Sequence, residues 1–281
     1  MLSRPGIAAL VAQVGERLPS SVPPPTRYLL PLLSATTLGH GAAFIRPCLD
    51  SAYSGLAATP CPVPPEPLDA RLDRELHPRR FVSRLVKESL VKSAILIGVP
   101  KAIETLLDLS DAVHPGDRSQ SFVRQDLDQS SSARFRDRSD AGRRGLASIY
   151  QGNIDDIFDK FKAGGLEDVR FFSEHLTYGT FLTPFPASSA SGPSRDPFAS
   201  DPRLLSLVTL SCLIPQSTPR EIHWHLRGAL RRGWTRDEVE AVHAAIDAVC
   251  ERLGTRLDAR LPRVKDVERQ AEEGEARGGP P

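Results

Sequence analysis

The side chains best suited to chemistry lie in one short run, Glu221-Ile222-His223-Trp224-His225-Leu226-Arg227. If that run is helical, Glu221 and His225 stand at i and i+4 and share a face. His225 also falls on the apolar stripe Ile222, His225, Leu226 and Ala229, which places an imidazole on the buried side. Burial and a carboxylate partner tune a histidine pKa, and that pairing suits general acid–base work. Glu221 and His225 are therefore the candidate catalytic pair. His223 and Arg227 form a neighbouring i, i+4 pair and are candidate substrate-binding groups. A second polar cluster, Glu174, His175 and Tyr178, would line a pocket if its helix packed against this one. The structural alternatives are helix capping for Glu221, an ordinary buried hydrogen bond for His225, and a solvated helix face for Glu174.

Other residue types add less. Asp155 and Asp156 form a carboxylate pair that nothing places near the histidines. No metal-ligand set recurs at a suitable spacing, and His223 and His225 at i, i+2 address different helix faces. Cys48, Cys61, Cys212 and Cys250 are far apart, with no CxxC. Cys212 and Cys250 read as small buried hydrophobes.

The elements that must hold these groups are helical. Asp201-Pro202 starts an all-round apolar stretch that stops at Pro215. Thr218-Pro219-Arg220-Glu221 and Thr235-Arg236-Asp237-Glu238 each spell a capping box, with Gly233 ending the helix between them. Upstream, Val82 to Ile97 carry one apolar stripe, Gly98 reads as a left-handed C-cap, and Pro100 opens the next helix. Residues 5–18 and 26–56 also read as helical, as do 142–163 and 166–182, which Gly164-Gly165 separates.

The expected organisation is an N-terminal helical segment 1–58, a proline-rich linker 59–76, a main domain 77–253 and a disordered charged tail 254–281. Within the main domain, 114–140 reads as a mobile Ser/Arg/Asp-rich insertion and 184–200 as a second loop.

Composition limits the function classes. Lys and Arg total 36 against 35 Asp and Glu, so no overall field favours nucleic acid. No apolar run is long enough for a membrane span. Four separate thiols fit a reducing, intracellular compartment. Residues 1–20 set Arg4 and Arg17 around an apolar stretch, in the manner of a mitochondrial presequence, but also hold Glu16. Mitochondrial and cytoplasmic locations both stay open.

IPQSTPREIHWHLRGALRRGWTRDEVEAV (214–242) resembles the signature helix–turn–helix of the carboxymuconolactone decarboxylase family and its AhpD-like relatives. RLVKESLVKSAILIGVPKAIETLLDL (84–109) resembles the family's other recurrent unit. With RRGLASIYQGNIDDIF (143–158) and EHLTYGTFL (174–182) between, the arrangement looks like the fungal branch. The resemblance implies an all-α AhpD-like helical bundle, a homo-oligomer and an active site near the signature helix. AhpD-type members use C-x-x-C-x-x-x-H, and aligned on His225 the two cysteine positions fall at Thr218 and Glu221. Dithiol chemistry therefore cannot be carried over. The decarboxylase branch keeps E-[LI]-x-x-H-L, matched by Glu221 to Leu226, and implies cofactor-free loss of CO2 from a small lactone acid. Arg227, Arg231 and Arg232 would then hold carboxylates, although an Arg pair before a helix C-terminus equally suits the helix dipole. The alternatives are an antioxidant relative with a degenerate redox site and a non-catalytic helical assembly protein.

Overall fold

The computed structural model describes residues 2–57, 59–61, 77–128, 132–151, 153–185 and 194–267. Among them every regular element is helical, and the fold is all-α. In chain order these are α1 (Arg4–Arg17), α2 (Pro24–Arg27), α3 (Leu29–Thr37), α4 (Gly41–Tyr53), α5 (Pro78–Ile97), α6 (Val99–Ala112), α7 (Gln125–Asp128), α8 (Ser132–Tyr150), α9 (Asn153–Ala163) and α10 (Glu167–Phe171). A π-helix, Phe172–Leu182, follows α10, and the chain ends with α11 (Leu205–Leu213), α12 (Pro219–Arg231) and α13 (Arg236–Arg252). No helix among the described residues is long and apolar enough to cross a membrane.

The large apolar core runs from Ile7 in α1 to Val267 beyond α13. The helix α3 is buried along its whole length and packs against α11 and α13. The N-terminal segment is thus part of the same core as the helices from α5 onward. A hydrophobic helix such as Leu29-Leu30-Pro31-Leu32-Leu33 has no polar face with which to stand apart. The 26–56 segment is three helices, with the chain turning at Tyr28 and at Gly39, whose φ is +83°. Of the expected linker, 62–76 lies outside the described residues.

The helix–Gly–Pro–helix unit appears as α5 and α6. Gly98 has φ +91° and ψ 138°, which is an extended positive-φ turn and not the left-handed cap expected of it. Only glycine adopts that region without strain.

The 114–140 stretch is not a loose insertion where it is described. Asp117 is fully buried, accepting from the Cys61 backbone N–H at 2.8 Å and from Arg79 Nε at 2.9 Å. Ser83 donates to the Asp117 carbonyl, and Lys87 donates to the carbonyls of Ser119 and Ser121. Residues from Ser132 onward belong to α8. Its anchoring is polar, so apolar periodicity could not reveal it. Arg138, for example, donates to the Gly179 carbonyl at 2.8 Å and to that of Thr183 at 2.9 Å. Residues 129–131 lie outside the described residues.

The remaining differences follow the same logic. The 142–163 segment breaks at Gln151, whose φ is +46°. In the 184–200 loop, Asp196 ties down both ends, accepting from the N–H groups of Phe185 and Phe198 and pairing with the buried Lys92 at 2.9 Å. Residues 186–193 are outside the description. Of the tail, 261–267 packs on the core, with Leu261, Val264 and Val267 buried and Arg263 bonded to Asp247. Residues 268–281 are likewise outside it.

Candidate functional site

A second, smaller apolar cluster lies beside the core, built from Leu146, Ile149, Tyr150, Ile154, Phe158, Tyr178 and Leu182. It borders a partly open cavity of about 330 Å³, within the usual range for a small-molecule site. The walls come from α8, α9, the π-helix and α12, with Ile95 and Leu96 closing from α5.

The helix α12 stands between the two clusters. Ile222, Leu226 and Ala229 face the large core, while Glu221, Trp224 and His225 line the cavity. The expected box at its start is absent: the Thr218 side chain makes no cap bond and its hydroxyl donates to the Leu213 carbonyl at 3.2 Å. Glu221 is therefore not engaged in capping. The equivalent box at Thr235 and Glu238 is complete. Close approach of α12 to α8 depends on Gly228, where a Cβ would meet Ile149 Cγ2 at 2.7 Å.

The opposite wall is the π-helix. Its i→i+5 winding brings Phe172, Thr177 and Leu182 into one row and Ser173 and Tyr178 into the next, and all of them line the cavity. The backbone of α8 lies directly against it, since a Cβ on Gly142 would sit 2.2 Å from the Glu174 carbonyl oxygen and 2.6 Å from Gly179 N.

Polar side chains from α8, the π-helix and α12 meet at this cavity, Tyr150 and Tyr178 among them. Tyr178 Oη lies 3.4 Å from Nε2 of His225, which is only 5% exposed. Burial pushes the His225 pKa down to about 3, helped by the positive charge of Arg232, so the imidazole is neutral at ordinary pH. Burial pushes both phenols up, so they too are neutral. It also raises Glu221, against a smaller opposing effect of Arg220. A carboxylate with a raised pKa is a stronger base. Thr177 Oγ1 is buried on the cavity wall with no hydrogen-bond partner among the described residues.

Of the six site residues expected from the sequence, Glu221, His225 and Tyr178 meet in this cavity. The other three do not. His223 and Arg227 do bond each other, at 3.0 Å, but on the side of α12 that faces Asp266. His175 is turned away by the π winding, stacked on Phe135, tilted against Phe171 and bonded to Ser139. Its neighbour Glu174 pairs with Arg143 and Arg170. Arg231 and Arg232 hold α8, through the Ile149 carbonyl and the Ser148 hydroxyl. Among the described residues no Lys or Arg lines the cavity. Sequence reasoning missed Tyr150, Thr177 and Trp224. The first two sit on other elements, but Trp224 is adjacent to His225, and its edge-on contact with the Tyr150 ring at 5.3 Å completes the wall.

No cysteine lines the cavity among the described residues, and burial pushes the Cys212 and Cys250 thiols up to about 12. No group of three or more His, Cys, Asp or Glu among the described residues could hold a metal ion. No protein-family model matches the chain, and neither a curated protein nor a solved structure matches it significantly.

Proposed function

We propose that this chain is a cofactor-free acid–base enzyme of the decarboxylase-like, AhpD-like class, acting on a small lactone-type carbonyl compound. The observation that carries the reading is that Glu221 and the Tyr178–His225 contact open into one apolar cavity. Ionised Glu221 takes a proton from the carbon next to the carbonyl. The C–H electron pair moves into the carbonyl, and the negative charge gathers on oxygen. The Tyr178 hydroxyl, oriented by His225, donates to that oxygen. The proton then returns from the Glu221 carboxyl to carbon. His225 stays neutral and orients Tyr178.

Loss of CO2 from a carboxylated lactone is the less favoured variant, because the cationic groups expected to hold the carboxylate lie elsewhere. The antioxidant alternative lacks a thiolate near His225.

Exchange of solvent deuterium into the carbon next to the carbonyl of a panel of lactones, followed by proton NMR, tests the reading. Wild type should accelerate exchange over buffer, and Glu221→Gln should abolish the acceleration. A folded wild type that gives only the buffer rate sinks the proposal, as does undiminished exchange in Glu221→Gln, which would leave a non-catalytic helical protein as the better description.

The expected homo-oligomer is supported by α6, whose Val99, Ile103 and Leu107 form an exposed i, i+4, i+8 stripe. Light scattering after gel filtration should give a multiple of the chain mass, and Ile103→Glu with Leu107→Glu should reduce it.

A further inference from the structure

The cavity wall holds a hydroxyl that the acid–base reading does not use. Thr177 Oγ1 is buried without a hydrogen-bond partner among the described residues. A threonine in a helix normally donates back to a carbonyl one turn earlier, as Ser173 does to Val169 and Thr180 does to His175 in this same segment. Thr177 makes no such bond, and leaving a buried hydroxyl unpaired is unfavourable. Thr177 and Tyr178 line the same cavity from successive rows of the π-helix, so one bound molecule can meet both hydroxyls.

The rest of the wall restricts that molecule. Ile95, Leu146, Ile154, Ile157, Phe158 and Phe161 supply an apolar surface. The lining has a carboxyl group, Glu221, and no Lys or Arg among the described residues. A ligand carboxylate would lose its water beside an acid and gain no cation, which is costly. A ligand with an apolar body and two uncharged oxygens can meet both hydroxyls without that cost.

We infer that the cavity takes an uncharged medium-chain lactone or ester, and that Thr177 is a positioning residue that hydrogen-bonds one of its two oxygens while Tyr178 meets the other. This rests on the assignment of the cavity as the acid–base site. It adds the class of ligand and a residue that acts by orientation.

Calorimetric titration of the full chain with three probes tests it: γ-decalactone, decanoate at pH 8, and butylbenzene, which has no hydrogen-bonding group. Wild type should bind γ-decalactone, and bind decanoate at least tenfold more weakly. Thr177→Val should weaken γ-decalactone about five- to tenfold, the loss of one hydrogen bond, and leave butylbenzene unchanged. Thr177→Ser should restore lactone binding to within about twofold, since it restores the hydroxyl of that bond. Equal or tighter decanoate binding overturns the ligand class. Equal lactone affinity in Thr177→Val overturns the role of Thr177, and a matching loss for butylbenzene shows a packing effect and overturns it too. Failure of lactone to bind wild type at all overturns the inference. Deuterium exchange is read separately, so binding without exchange counts against the acid–base reading and leaves the ligand assignment standing.

Discussion

Tyr178 Oη lies 3.4 Å from His225 Nε2 and joins the π-helix to α12 across the cavity. The contact is long for a hydrogen bond, and it pairs two groups that burial keeps neutral. Removing the hydroxyl leaves an imidazole nitrogen facing an apolar wall. Tyr178→Phe should therefore lower stability by about 0.5–1.5 kcal/mol and slow deuterium exchange more than it weakens lactone binding. Urea denaturation together with the two assays checks this. Unchanged exchange in the folded variant would remove Tyr178 from the proposed chemistry.

The approach of α8 to the π-helix is set by backbone, not by side chains that can yield. A Cβ on Gly142 would overlap the Glu174 carbonyl oxygen. Gly142→Ala should destabilise by about 1–3 kcal/mol through overpacking, even though alanine in a helix interior is favoured by about 1 kcal/mol. A denaturation midpoint equal to or above wild type would show that the two backbones separate easily.

Acid stability follows from the buried histidines. His225 and His243 are both lowered from 6.5 to about 3, mainly by burial, and neither His243 nitrogen has a hydrogen-bond partner among the described residues. Below pH 6.5 the unfolded chain binds protons that the folded chain refuses. Stability from these groups is thus fully present above pH 6.5 and falls as pH drops towards 3. Denaturant midpoints measured from pH 7.5 to 4.5 should decline, and His243→Gln should make the decline shallower. A wild-type midpoint that is flat over that interval contradicts the assignment.

The two Thr-x-x-Glu boxes should behave differently. Thr235 accepts from Glu238 N, and Glu238 accepts from Thr235 N at 2.7 Å and also from Ser21. Thr235→Ala should cost about 0.5–2 kcal/mol. Thr218 makes no cap bond, and Thr218→Ala should cost less than Thr235→Ala. Equal losses at the two sites would mean that Thr218 caps α12 in solution.

The helical class, the Gly98 and Gly233 breaks, the Thr235 cap and the burial of His225 were all legible in the sequence, because each is a local matter of periodicity, backbone freedom or capping. That Glu221 and His225 line one cavity was legible for the same reason: i and i+4 share a face on any helix. Three decisions needed the tertiary structure. The π winding of 172–182, held by Arg138 and the close approach of Gly142, moved His175 out of the cavity and Thr177 into it. Buried ion pairs, such as Lys92 with Asp196, anchored stretches whose polar composition reads as loop. The cavity itself exists only where α8, α9, the π-helix and α12 meet. Its walls come from residues far apart in the chain, and no local pattern records which distant surface a helix face will find.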